Sequence, residues 1–155
     1  MTERAGTRLG VDVGTVRIGV ARSDPHGMLA TPLETVPRGA GDVERIVALA
    51  TELEAIEFVV GLPIALSGRD TASTADARAF AARLANARVA PVRLVDERLS
   101  TSSAHSALRA SGRNAKNSRT VIDQVAAVII LQHALDYERS AMGPPGVVVA
   151  PDERL

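Results

Sequence analysis

The amino-acid sequence predicts an α/β domain with a mixed five-stranded sheet flanked by helices. Residues 8–13 and 17–23 alternate apolar with small or polar residues, and residues 29–36 are predicted as a third strand. The short connections between the three predict an antiparallel meander. Two apolar segments, 58–62 and 92–96, follow and are separated by helical sequence, an order that is typical of parallel strands.

Helices are predicted where apolar residues recur three or four positions apart, over residues 42–55, 75–87, 102–110 and 120–139. A loop is expected over residues 111–118, and Pro32 favours an edge position for the third strand. The sequence after Ser140 is rich in glycine and proline. We therefore expect one domain over residues 1–139 and a flexible tail over residues 140–155.

Composition excludes several kinds of site. The chain has no cysteine, which excludes disulfides and thiolate ligands, and its three histidines lie far apart, which argues against zinc. Any bound metal should therefore be a hard cation held by oxygen atoms. Aromatic residues make up 2% of the chain, too few to bind nucleic acid by base stacking. The polar first residues and the lack of a long apolar run predict a cytoplasmic protein without membrane contact.

The formal net charge is zero, but basic residues are concentrated in one segment. Between Arg98 and Ile122 there is no acidic residue, and the basic ones are Arg98, Arg109, Arg113, Lys116 and Arg119. Such a segment can hold phosphates even in a neutral protein. The alternative is that these side chains decorate a solvated helix.

Asp12 is the first candidate for chemistry, because an unpaired charge inside an apolar strand is costly. Its same-face neighbours, Gly10 and Gly14, have no side chains, so that face is open to an ion or a substrate backbone. The alternative is a structural carboxylate paired with Arg17 across the hairpin.

Asp96 and Glu97 end the fifth predicted strand, where ligands gather in open α/β sheets. Alternation places the two on opposite faces, so at most one should face Asp12. A helix-capping turn at Ser100 or Thr101 is the alternative. Asp123 is predicted in the first turn of the last helix, where Thr120 and Asp123 fit a capping box.

Three convergent carboxylates would suit a magnesium site, because Mg²⁺ prefers oxygen ligands and is usually held by a few carboxylates plus phosphate. Two such ions about 4 Å apart can activate water and stabilise the leaving oxygen of a phosphodiester. Without metal, the like charges repel and raise at least one pKa.

The sequence resembles the YqgF (RuvX) family over about residues 9–136. Four segments in order carry the resemblance: Gly10–Ala21 (GVDVGTVRIGVA), Val60–Pro63 (VGLP), Asp96–Thr101 (DERLST) and Asp123–Gln132 (DQVAAVIILQ). The resemblance implies an RNase H-like fold related to the RuvC resolvases. It implies a nuclease dependent on Mg²⁺ or Mn²⁺, with Asp12, Glu97 and Asp123 as metal-binding catalytic acids.

The same resemblance implies phosphate contacts by Arg17, Arg98 and the loop around Lys116, with Arg113 and Arg119. Family members process the ends of precursor 16S ribosomal RNA and were earlier described as Holliday junction resolvases. Expected partners are therefore precursor rRNA or branched DNA, with ribosomal particles and a homodimer left open. Relatives often carry consecutive basic residues in the Lys116 loop, so its fewer charges should weaken backbone affinity.

The strand that ends at Gly61-Leu62-Pro63 carries no carboxylate, although RuvC-type enzymes place an acid on the equivalent strand. Glu97 would have to reach the site from the next strand over.

Three other functions compete with an RNA nuclease. The Gly10–Thr15 segment also resembles the phosphate loop of actin-like ATPases, but those need two such domains and 155 residues supply one. A resolvase would act as a dimer. A non-catalytic ribosome-maturation factor would use its acids only for structure.

Overall fold

The computed structural model describes residues 4–99, 115–141 and 143–151, without the side chains of residues 99 and 115–123. Its sheet has the strand order β3-β2-β1-β4-β5-β6. The strands are β1 (Arg8–Val13), β2 (Arg17–Ser23), β3 (Ala30–Pro37), β4 (Glu57–Leu62), β5 (Val92–Asp96) and β6 (Val147–Val149). The pairs β1–β2 and β2–β3 are antiparallel, whereas β1–β4 and β4–β5 are parallel. The predicted mixed architecture is confirmed.

The sheet has six strands where the sequence predicted five. Val147–Val149 pairs antiparallel with β5 and forms the second edge, within the segment expected to be a flexible tail. Three consecutive valines favour a strand, although the glycines and prolines just before them are typical of a loop. At the other edge, β3 carries Pro32 as predicted, and its register shifts opposite Val20 and Ala21.

Helices cover both faces of the sheet: α1 (Asp42–Leu53), α2 (Ala72–Asn86) and α3 (Ala115–Ala141). One core contains alternate strand residues, such as Leu9, Val11 and Phe58, together with apolar residues of α1 and α2. The other core joins the opposite sheet face to α3 through Ala127, Ile130, Leu131, Ala134 and Leu135. The three-and-four spacing of these α3 residues gives one apolar stripe along the helix.

The last helix begins earlier than predicted. It starts at Ala115, so residues 115–118 are helical and not part of a loop. The prediction of a capping box was wrong, because Thr120 and Asp123 lie inside the helix and not in its first turn. The predicted helix over 102–110 and the rest of the loop lie outside the described residues.

Helix α3 runs antiparallel to β1 across the sheet. Near its C-terminal end, Glu138 accepts a hydrogen bond from Arg8, the first residue of β1. Toward its N-terminal end, Gln124 donates to Thr35 at 2.9 Å. Thr35 pairs with Gly19, which pairs with Asp12 near the end of β1. Residues close to Gln124 therefore lie at the level of Asp12.

A network of buried charges closes the opposite end of the sheet. Arg4 donates to both Glu57 and Glu138, at 3.0 and 2.7 Å, and Arg93 donates to Glu57 at 2.7 Å. The side chains of Glu57, Arg8 and Glu138 are 3%, 4% and 13% exposed, so these pairs tie α3 to β1 and β4 largely out of water.

No helix in the described part of the chain is both long and apolar enough to cross a bilayer.

Candidate nuclease site

Asp12 lies near the carboxyl end of β1, half-buried, on the face that α3 covers. The predicted alternation is confirmed, since Leu9 and Val11 lie in the α1/α2 core and Gly10 faces α3. A Cβ at position 10 would stand 2.7 Å from the Cβ of Leu131 and 2.9 Å from the carbonyl oxygen of Ala127. The glycine therefore permits close approach of α3, and Asp12 lies two residues further along the same face.

Glu97 reaches across the neighbouring strand. It begins a 3₁₀ turn directly after β5, but its side chain lies over Gly61 of β4. A Cβ at position 61 would stand 2.6 Å from Glu97 Oε2 and 2.9 Å from its Cγ. The carboxylate thus occupies the space that a side chain on β4 would fill.

This placement brings Glu97 beside Asp12. The pairing of β1 with β4 runs through Val11 and Val60, so the next residues along, Asp12 and Gly61, lie side by side on the same face. The Glu97 carboxylate, which lies against Gly61, is therefore at the position of β4 that neighbours Asp12. The sequence left open how Glu97 could reach the site, and the side-chain-free position at Gly61 answers that question.

Burial raises the pKa of Glu97, and the negative charge of Asp96 raises it further. A buried carboxylic acid beside other acids is costly to ionise unless a cation neutralises it. The oxygen donors of Asp12 and Glu97 match the ligands that hard divalent cations prefer. The two carboxylates therefore supply the kind of oxygen ligands that a hard divalent cation takes.

Asp123 lies in α3 immediately before Gln124, and hence in the part of the helix that crosses the level of Asp12. Its side chain is outside the described part of the structure, so its role as a third acid stays a prediction. Among the residues whose side chains are described, no group of three acids or histidines is arranged around a metal position.

The predicted phosphate contacts are placed in part. Arg17 is half-buried at the start of β2, and its backbone carbonyl accepts a hydrogen bond from Gly14 at 3.0 Å, on the hairpin beside Asp12. Arg98 forms an ion pair with Asp96, to which its Nη2 donates at 2.7 Å. This pair holds the pKa of Asp96 below its usual range. Lys116 and Arg119 lie in the first turns of α3, and Arg113 is outside the described residues.

Two contributors to the site were missed by the sequence analysis. Gly61 was assigned to a strand end and to the Val60–Pro63 motif with no role in the site, although a glycine inside a strand often marks close approach of another group. Arg38 follows β3 and donates to the carbonyl oxygen of Gly14 at 2.8 Å and to Asp76 at 2.8 Å. It therefore fixes the hairpin that bears Asp12, and no local sequence pattern indicates this contact.

Solved structures with a similar fold include RuvC of Thermus thermophilus in complex with a Holliday junction substrate. The TM-score is 0.57 at 16% identity, covering 90% of this chain and 99% of that one. A second structure of Thermus thermophilus RuvC gives a TM-score of 0.55 at 15% identity. The chain is thus an α/β protein of the RNase H-like class.

The family follows from a more specific match. The RuvX family model, described as Holliday junction resolvase, matches residues 6–137. The chain belongs to the RuvX family, and so to the nucleases, hydrolases that act on ester bonds.

Proteins of close sequence carry one description, that of a candidate pre-16S rRNA nuclease. The protein from Clavibacter michiganensis subsp. michiganensis is 67% identical over 94% of this chain and 92% of its own length. That from Leifsonia xyli subsp. xyli is 65% identical over 96% and 97%. That from Thermobifida fusca is 52% identical over 94% and 97%.

Proposed function

We propose that this protein is a divalent-metal-dependent nuclease that hydrolyses phosphodiester bonds in the processing of precursor 16S rRNA ends. The observation that carries the proposal is the position of the Glu97 carboxylate over Gly61, next to Asp12. Two acids brought together from separate elements, one of them half-buried with a raised pKa, make a site suited to a cation.

Asp12, Glu97 and Asp123 are the residues that would hold Mg²⁺ or Mn²⁺. When bound, such an ion supplies Lewis-acid stabilisation of the charge that develops on the phosphodiester. The protein contributes rigidity at Asp12, which lies within a paired strand, and the Glu97 carboxylate lies against Gly61 of β4. Preorganised ligands avoid a reorganisation cost when the substrate binds.

Arg17 and Arg98 would contact the flanking phosphates, together with Arg113, Lys116 and Arg119. Arg98 is the better defined of the described pair. Asp96 accepts from its Nε and Nη2, and the Arg98 side chain is 38% exposed at the same strand end as Glu97. A guanidinium held by one carboxylate keeps its charge and loses less side-chain entropy on binding phosphate.

The relatives support this substrate class, since they are described as candidate pre-16S rRNA nucleases at 52–67% identity over almost the whole chain. Ribosomal particles that carry the precursor are accordingly the proposed partners.

The test is a side-by-side assay of the purified protein on precursor 16S RNA and a four-way DNA junction. We expect RNA cleavage that needs Mg²⁺ or Mn²⁺ and stops with EDTA, while Ca²⁺ supports binding better than cleavage. Asp12→Asn should reduce cleavage about a hundredfold or more without loss of RNA binding. Asp136→Asn, an exposed aspartate near the opposite end of α3, is the matched control. Cleavage that persists in chelator would contradict the proposal.

Junction resolution is the second candidate, favoured by the printed description of the family model. A resolvase cuts two symmetric strands and so requires a dimer. Symmetric cleavage of the junction by a dimer, with intact precursor RNA, would select this function. If Asp12→Asn leaves both cleavage and growth unchanged, Asp12 is not a catalytic acid, and the alternative of a maturation factor whose acids are structural is favoured.

A further inference from the structure

The α3-facing side of Gly61 is filled by two groups from different elements. A Cβ at this position would stand 2.6 Å from Glu97 Oε2 and 2.6 Å from Ile130 Cδ1 of α3. Carbon atoms do not approach this closely without displacement, so any side chain at position 61 must move one group or both. Both atoms are at the ends of flexible side chains, so rotation can relieve the clash without moving the backbone.

Gly10, on the neighbouring strand β1, differs from Gly61 in the atoms that surround it. A Cβ there would meet the Cβ of Leu131 and the backbone oxygen of Ala127, which cannot rotate away. No carboxylate is among its nearest atoms. Gly10 serves the packing of α3 on the sheet, whereas the space at Gly61 also contains a candidate metal ligand.

We propose that Gly61 is a positioning residue whose missing side chain admits the Glu97 carboxylate across β4 to the side of Asp12. The proposal rests on the proposed function, because it explains how one of the three acids reaches the site. Glu97 belongs to a turn after β5, and β4 separates β5 from β1 in the sheet. An alanine at position 61 would occupy the path between them.

The experiment separates displacement of Glu97 from displacement of Ile130. Gly61→Ala is combined with Ile130→Val, which removes the Cδ1 atom that the new methyl would meet. Ile130→Val alone is the matched control, and Glu97→Gln is the reference for a lost carboxylate. Mn²⁺ binding is measured by titration calorimetry, and folding is measured by thermal unfolding without metal.

We expect the double variant to unfold within a few degrees of Ile130→Val and to bind Mn²⁺ about 10- to 100-fold more weakly. RNA cleavage should fall in kcat while KM for RNA changes little. In a Glu97→Gln background, Gly61→Ala should weaken Mn²⁺ binding no further, because coupled positions are non-additive.

Equal Mn²⁺ affinity in the double variant and in Ile130→Val would overturn the inference, and so would additive losses in the Glu97→Gln background. A double variant that does not fold would also overturn it, because Gly61 would then be needed for packing alone. If the unmodified protein itself binds no Mn²⁺, the proposed function fails, which is a separate outcome.

Discussion

The guanidinium of Arg38 donates a hydrogen bond of 2.8 Å to the backbone carbonyl of Gly14, two residues after Asp12. Its backbone N–H also donates to the carbonyl of Val16 at 2.9 Å, so the β1–β2 hairpin is held at two points. The same side chain pairs with Asp76 of α2 and packs over Phe80 at 5.5 Å. The hairpin beside the candidate site is thereby anchored to the helical layer on the other face of the sheet.

Arg38→Ala should therefore affect both stability and activity. We expect a loss of roughly 1 to 2 kcal/mol in the free energy of unfolding, because hydrogen bonds to a carboxylate and to a partly buried carbonyl are removed. Cleavage should decrease while Mn²⁺ still binds. Urea unfolding and a cleavage assay measure the two effects. Arg45→Ala, on α1, removes an exposed ion pair with Glu34 of β3 and should change neither stability nor cleavage. A stability loss with unaltered cleavage would limit Arg38 to a structural role.

Glu97→Gln should stabilise the metal-free protein while abolishing cleavage. Burial first, and the charge of Asp96 second, raise the pKa of Glu97 above its ordinary value of 4.5. Stability is therefore lost as pH rises from that ordinary value through the raised one, since the folded state resists ionisation. The glutamine variant has no such loss, so its Tm near neutral pH should exceed that of the parent.

Scanning calorimetry between pH 4 and pH 8, with and without Mn²⁺, provides the measurement for Glu97. Added Mn²⁺ should raise the Tm of the parent protein and leave that of Glu97→Gln almost unchanged. A lower Tm for the metal-free variant at neutral pH would show that the Glu97 carboxylate is part of a stabilising pair.

Glu138→Gln should have the opposite pH dependence. The hydrogen bond from Arg4 lowers the pKa of Glu138, and Arg8 acts in the same direction. This carboxylate therefore contributes stability above its ordinary pKa of 4.5, and the contribution is lost as pH falls through the lowered value. Glu138→Gln should have a lower Tm than the unmodified protein at pH 7, and this difference in Tm should disappear in acid. Glu44→Gln, on the exposed side of α1, serves as control. A Tm deficit that is constant from pH 7 into acid would contradict this assignment.

Arg98→Ala should weaken RNA binding in a salt-dependent manner. Loss of one phosphate contact reduces the slope of log K against log salt concentration by about one. Filter binding in Ca²⁺ at several salt concentrations measures this slope without cleavage. Arg45→Ala provides a charge-matched control on the other face of the sheet. An unchanged slope for Arg98→Ala would mean that Arg98 only neutralises Asp96.

The sequence by itself determined most of the sheet and the face on which Asp12 lies. Alternation in β1 and β2 is a local property of the chain, and so is the helical spacing of Ala127, Ile130 and Leu131. Local patterns did not predict the short strand Val147–Val149, which follows a turn-rich segment. They also gave the wrong start for the last helix, because the capping pattern at Thr120 lies inside a longer helix.

Only the tertiary structure decided how the acids meet. Asp12 and Glu97 are 85 positions apart, and no periodicity relates them. Their proximity depends on the strand order that places β4 between β1 and β5, and on the absence of a side chain at Gly61. The anchoring of Gly14 by Arg38 is likewise a contact between separate elements. Sequence periodicity describes one element at a time, whereas a site made from several strands is defined by their register and order.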